Sequence, residues 1–237
     1  MENVPVDELG TVLMVWAHPD DEAYLAGGLS AVLTDAGQRV VCVTATYGEA
    51  GASSVPVTDR DQLAEIRMAE LETALAILGV REHHWLDYPD GACAEVDQDA
   101  AAARIAALVE ETGPDTVVTF GPDGFTGHPD HQAVSRWTDL ALSWAGHRPR
   151  LLHAVTTEGA VDWDLAAKFG VYDLGKPRVC DEEEAAVLLP MDGVLLDRKV
   201  DALLSQESQT RELVQAMGLA RFRAWVATEA FARPEPG

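Results

Sequence analysis

The stretch TVLMVWAHPDDE, residues 11–22, decides how the rest of the chain is read. Its first seven residues form a nearly continuous apolar run, the pattern of a strand buried on both faces of a parallel sheet, and the run stops on a polar cluster. Leu25, Leu29, Val32 and Leu33 then recur at helical spacing, and Gly37 stands where a C-terminal cap belongs.

The same order repeats outward from this segment. RVVCVTAT at 39–46 reads as a second strand, a long helix runs from about Asp59 to Leu78 and closes at Gly79, and His83 to Leu86 is a short third strand. An Ala-rich helix from Asp97 to Thr112 meets the stop signal Gly113-Pro114, DTVVTFG at 115–121 repeats the buried-strand pattern, and LLHAVT at 151–156 is a further strand. This alternation predicts an α/β, Rossmann-like fold: a mostly parallel sheet flanked by helices, right-handed in its crossovers, with a ligand site outside the carboxyl ends of the strands. Leu195 to Phe231 is expected to be mostly helical with a break at Gly218, and 157–190 is mixed in pattern and expected to contribute to the pocket rim. No linker, low-complexity tract or solenoid repeat divides residues 1–237, so a single domain is expected.

Composition narrows the functions open to this fold. No apolar run approaches the roughly 18 residues of a membrane span. Seventeen Lys+Arg against 40 Asp+Glu give a net charge of −23, a field that repels phosphate backbones and anionic membranes and so argues against a nucleic-acid partner. Cys42, Cys93 and Cys180 are odd in number and widely spaced, neither a disulfide framework nor a CxxC pair, and read as reduced. MENVPVDELG carries acids where a secretory signal has a basic start and an apolar run, so cytoplasmic residence is expected. The residues leave the oligomeric state open, a homo-oligomer included.

Two strand ends carry the same tripeptide. The first strand ends in His18-Pro19-Asp20-Asp21-Glu22, and the strand at 115–121 is followed by His128-Pro129-Asp130-His131. Pro suits the first position of a helix, and an Asp after it lies at the positive end of the helix dipole, so both segments read as helix starts. A single His-Pro-Asp would be read as an ordinary cap. Its duplication after two buried strands of one parallel sheet instead brings imidazoles and carboxylates to one edge, where they suit a catalytic zinc site with three protein ligands and a position left for water. His18 and Asp21 are three residues apart across a turn, close enough to chelate one ion, and His131 holds in the second motif the position of Asp21 in the first. A His, Asp, His set leaves zinc Lewis acidic, with bound water titrating near pKa 7, about neutrality, and Asp20 free as a base. By spacing alone His128 is an equally good ligand.

AHPDDE, the Gly27-Gly28 pair in the following helix, and TGHPDH after the fourth strand resemble the LmbE-like family of zinc-dependent N-acetylglucosaminyl de-N-acetylases, also called the PIG-L family. EIRMAELETALAILGV at 65–80, YPDG at 88–91 and DRKVDALLSQESQ at 197–209 are further family-like segments. The resemblance implies that His18, Asp21 and His131 ligate one zinc per chain and that Asp20 is the general base for attack by the metal-bound water. It implies that His128 is no ligand but stabilises the oxyanion or assists the leaving amine, with Asp130 orienting its ring. By the same similarity Arg67 and Asp90 contact the sugar ring or its substituents. Thr126 stands where some members carry an aromatic residue. Fe(II), Co(II) or Ni(II) would accept the same trio.

The implied function is hydrolysis of an N-acyl, expectedly N-acetyl, group from an amino-sugar-containing small molecule or natural product. Its rivals are amidase action on a larger thiol or glycopeptide conjugate, and a non-catalytic metal-binding module on the same fold. Nucleotide binding is disfavoured, because AHPDDE offers no Gly-rich turn. The loop GEAGASSVPVTDR, 48–60, is expected to lid the pocket. His83, His84, His147 and His153 are read as structural or surface residues, Trp137 and Trp144 as packing, Trp16 as core or as an aromatic that stacks on a pyranose face, Glu22 as a helix cap or a group that steers the metal site, and Asp181–Glu184 as a solvated face.

Overall fold

A computed structural model describes residues 4–235. After a single 3-10 turn come β1 (Val12–Trp16), α1 (Asp21–Asp35), β2 (Val40–Thr44), α2 (Arg60–Leu78) and β3 (Glu82–Trp85). A second 3-10 turn precedes α3 (Gln98–Thr112), β4 (Thr116–Phe120), α4 (Gly124–Gly127), α5 (Pro129–Trp144) and β5 (Arg150–Thr157). The remainder comprises α6 (Trp163–Phe169), β6 (Val179–Cys180), β7 (Val187–Pro190), α7 (Gly193–Ser205), α8 (Glu207–Met217), α9 (Leu219–Trp225) and β8 (Thr228–Ala232).

The strands form one sheet in the order β3-β2-β1-β4-β5-β8-β7, with β6 pairing to β5. Every pair from β3 through β5 is parallel, and only β8 runs against its neighbours. All residues of β1, β2 and β4 are buried, which is why their sequences lack the alternation of a half-exposed strand. Helices α1, α2 and α7 pack together, as do α3 and α5, and right-handed crossovers place the two groups on opposite faces of the sheet. The chain leaves β1 toward β2 on one side and returns as β4 on the other. The carboxyl ends of β1 and β4 therefore flank the point where strand order reverses, where such sheets open a crevice.

The expected α/β architecture is the one observed, with two local corrections. The stretch read as helical to Phe231 ends its last helix at Trp225 and continues as β8. Pairing on both sides, to β5 and β7, overrides local preference there. In the first motif the helix begins at Asp21, not at Pro19. Pro129 does take the first position of α5, with His128 as its N-cap. Gly218 breaks the helical run as expected, between α8 and α9. Among the described residues no helix is long and apolar enough to cross a membrane.

Candidate metal and catalytic centre

At the end of β1 the chain turns sharply before α1. Asp20 is the residue before the helix and adopts φ 110°, left of the region that residues with a Cβ prefer. Its backbone N–H donates to Glu22 Oε2 at 2.9 Å, and Glu22 Oε1 accepts from Gln206 Nε2 at 2.7 Å. Glu22 thus caps its own helix from within, and Asp20 makes no side-chain cap bond of its own. The Asp20 carboxylate lies against Arg67 Nη2 at 3.3 Å.

Across the switch point, the loop after β4 brings His128 and His131 to the same edge. His18 Nδ1 lies 3.1 Å from His131 Nε2. Asp21 Oδ2 is 3.6 Å from His18 Nδ1, and Asp21 Oδ1 is 3.4 Å from His131 Nε2. Two ligands held 2.0–2.1 Å from a tetrahedral zinc stand about 3.3 Å apart, close to the 3.1 Å between the two imidazole nitrogens, whereas these imidazoles face different oxygens of Asp21 and Oδ2 already accepts the His18 backbone N–H at 2.8 Å. His131 Nδ1 faces the Gly124 carbonyl at 2.9 Å, which leaves Nε2 pointing to the shared space. The His131 ring stacks on Phe120 with centroids 4.1 Å apart. His128 also lies close, its ring edge-on to His18 at 4.8 Å; His18, His128 and His131 form one group with ligand atoms close enough to hold an ion, and His18, Asp90 and Asp130 form another.

Asp130 is placed differently from the sequence-based expectation. Its carboxylate does not meet the His128 ring. It accepts from Gly91 N at 2.7 Å and Cys93 N at 3.0 Å, and lies 3.3 Å from His18 Nε2. Asp90 Oδ1 joins it at 3.1 Å from the same nitrogen. What orients His128 is backbone: its Nδ1 accepts the Asp130 N–H at 3.2 Å as the cap of α5. Arg67 too is turned inward. Its guanidinium donates to the carbonyls of Gly48, at 2.8 Å, and Pro19, so it braces the two loops beneath Asp20.

These contacts set the electrostatics. Burial is the largest influence on Asp20 and, with Asp21 alongside, pushes its carboxyl up to about 7 against the opposing charge of Arg67. Burial would lower the His18 imidazole, but hydrogen bonds to Asp130 and Asp90 outweigh it and raise it to about 10. Burial would raise Asp90, yet His18 and the Ala50 N–H hold it well below the usual carboxylate range. Burial brings His131 down to about 4. Glu22 beside it is likewise pushed up to about 8 by burial and by the Asp20 charge, so two adjacent carboxyls titrate near neutrality, a perturbation common at functional sites.

A cleft of about 380 Å³ opens on this cluster, lined by Asp20, Arg67, Asp90, His128 and Gln209 among others. Ala50 and Gly51 of the 48–60 loop form part of its wall. The loop is tied across to α8 through Ser54 N on Ser208 O at 2.6 Å and Gln209 Nε2 on Ala52 O at 3.1 Å. Sequence spacing discloses neither the Glu22–Gln206 tie nor Gln209, although both glutamines lie in the family-like segment 197–209. His83 and His153 lie outside the cluster, and Trp16 is fully buried against Phe120.

Fold and cluster together define a class: a Rossmann-like α/β protein with buried imidazoles and carboxylates gathered at its strand-order switch point, three imidazoles among them close enough to hold a metal ion. Residues 13–142 match the family model described as PIG-L, GlcNAc-PI de-N-acetylase, and the chain belongs to that family. It is 37% identical over 201 residues to a 1D-myo-inositol 2-acetamido-2-deoxy-alpha-D-glucopyranoside deacetylase of Kineococcus radiotolerans, covering 73% of this chain and 54% of that protein. The chain therefore spans only about half the length of that relative. To the Mycolicibacterium gilvum protein of the same name it is 32% identical over 244 residues, covering 94% of this chain and 84% of the relative. Its fold is shared by the N,N'-diacetylchitobiose deacetylase of Pyrococcus horikoshii, with a TM-score of 0.64 at 19% identity over 96% of this chain and 84% of that one.

Proposed function

We propose that this protein hydrolyses the N-acyl amide of a small amino-sugar compound, acetyl being the simplest acyl group, at a single divalent ion held by His18, Asp21 and His131. The observation that carries the reading is the 3.1–3.6 Å spacing of those three side chains beside an Asp20 that is not among them. When bound there, the ion supplies Lewis acidity to water and to the scissile carbonyl. Zinc is the first choice for two imidazoles and a carboxylate, and Fe(II), Co(II) and Ni(II) suit the same donors.

The remaining chemistry belongs to the chain's own groups. Asp20, with a carboxyl titrating near 7, takes the proton from the attacking water, and Arg67 holds its carboxylate in place. His128 accepts a backbone N–H at Nδ1, so the neutral ring carries its proton on Nε2, where it can hydrogen-bond to the oxyanion, while the departing amine takes the proton that Asp20 accepted from the water. Asp130 and Asp90 anchor His18 at Nε2 and free Nδ1 for the ion. Arg67 and Asp90 then touch the sugar, if at all, only along the cleft wall that they share with Gln209. Residues 157–190 supply part of the rim: Ala160, Val161, Val171 and Tyr172 line a cavity beside the centre, and a Cβ on Gly127 would overlap the backbone of Gly175. Three free, buried cysteines suit cytoplasmic residence.

The test is acetate release from a panel of N-acetylated amino sugars by the wild type and Asp20→Asn. About one equivalent of metal is expected in both proteins, with acetate release lowered by roughly 100-fold or more in the variant. Equal rates in the two would remove Asp20 from the mechanism.

A further inference from the structure

The centre lies in the middle of a cleft whose two halves differ in chemistry. Toward β2 and β3 the walls are Asp20, Arg67, Asp90, His128 and Gln209. Toward β5 and β8 a second cavity, about 280 Å³ in volume, shares Asp21 and His131 with the first. Its other walls are mostly apolar, Phe125, Val155, Val161, Val171, Tyr172 and Trp225 among them, with the hydroxyls of Thr126, Thr156 and Thr228 interspersed. Glu229 also borders it, but that carboxylate is already taken up by Gly28 N, Leu29 N and Lys199 Nζ at 2.7–2.8 Å.

An amide held with its carbonyl at the ion sends its amine substituent one way and its acyl carbon chain the other. Sugar hydroxyls placed in the mostly apolar half would find only the scattered hydroxyls of Thr126, Thr156 and Thr228, each one left unpartnered costing about 1–3 kcal/mol, whereas the polar half offers charged donors and acceptors. The acyl group is thereby directed to the cavity beside β5. A methyl group leaves most of that space unfilled, since an apolar cavity of about 150 Å³ already holds a benzene ring.

Resting on the reading of the centre as an amide hydrolase, we propose that this cavity is an acyl pocket that takes hydrocarbon groups well beyond acetyl, such as a chain of about six carbons or an aryl ring. Its substrate class is then an N-acylated amino sugar with a medium-length or aromatic acyl group.

The test uses zinc-loaded protein and one amino sugar carrying acetyl, butanoyl, hexanoyl or benzoyl on nitrogen, with the free amine as readout. kcat/KM is expected to rise by about fourfold per added methylene from acetyl to hexanoyl. Val161→Trp and Val171→Trp, which fill the cavity from its rim, are expected to lower the hexanoyl-to-acetyl ratio by roughly tenfold or more. Independently of turnover, acetate, butanoate and hexanoate titrated against Trp225 emission should bind with affinity that increases in that order. Acetyl cleavage with no gain on chain extension overturns the pocket and leaves the hydrolase reading standing. A gain that follows the alkyl length of the glycoside aglycone overturns it as well, by assigning the cavity to the other end of the substrate. Loss of all cleavage, with chain-dependent carboxylate binding retained, overturns the hydrolase reading and upholds the apolar site.

Discussion

At the scale of single residues, the reach of sequence reasoning is set by how far along the chain two partners lie. His18 and Asp21, three positions apart, could be paired by spacing, and the duplicated tripeptide pointed to His131. Asp130 stands two positions from His128 and was paired with it, yet its carboxylate rests on His18, 112 positions away. Only the alignment of β1 with β4 brings that contact about, and no local pattern encodes it. Because Asp130 fixes the ring that presents Nδ1, Asp130→Ala should weaken metal binding about 10–100-fold, measurable by competition with a chromogenic chelator. His153 supplies a different test. It is buried, its Nε2 lacks a hydrogen-bond partner among the described residues, and burial lowers its pKa to about 4. The folded value lies below the unfolded one, so the unfolded chain binds more protons between pH 6.5 and about 4. Its stabilising effect is full above 6.5 and is lost as pH falls through that window, up to about 3 kcal/mol in all. Urea melts of metal-free protein should show that decline, and His153→Gln should flatten it.

At the scale of elements, the helices and parallel strands were legible because buried runs, caps and stop signals are local properties. The kink in α1 was not. At Ala26 the backbone leaves helical geometry with φ −142°, and the N–H groups of Gly28 and Leu29 turn to the Glu229 carboxylate instead of the preceding turn. Lys199 from α7 closes the bracket, bonding Tyr24 O at 2.8 Å and Glu229 Oε1 at 2.7 Å. A Cβ on Gly28 would overlap Met191 Sδ and crowd Glu229 Oε1 at 3.3 Å, so a larger residue there displaces the Met191 side chain. The Gly27-Gly28 pair was visible in the sequence, but the carboxylate it admits comes from 201 positions further on. Both ion-pair partners are essentially inaccessible to solvent, at 0% and 1%. Removing one leaves a buried charge, so Lys199→Met should cost about 3–5 kcal/mol. In a chain of this size that is a fall in Tm of about 10 °C, checked by calorimetry. The Lys199→Met, Glu229→Gln double variant should lose less than the sum of the two single changes.

At the scale of the molecule, the proposed ligands come from the ends of β1 and β4, so an ion bound there would clasp the two halves of the parallel sheet. An ion present at about 100 times its dissociation constant adds about 2.7 kcal/mol to stability. Chelation by EDTA should therefore lower Tm by about 5–10 °C, and Asp21→Ala should abolish the difference. The fold class was readable from the strand-helix alternation, whereas the division of the cleft into a polar and an apolar half was not. That division depends on β5 and β8 standing side by side in space with four helices and two short strands between them in sequence.

Position of β8 has a bearing on how the protein comes into being. This strand is synthesised after everything it packs against, yet it delivers Glu229, the group that lets α1 bend behind Asp21. A nascent chain still lacking residues 228–232 owns every proposed ligand but leaves Lys199 without its counter-charge and two helix N–H groups without acceptors. Maturation of the proposed metal-binding edge thus waits on β8, and an intermediate released before that strand is made would carry an unsettled first helix.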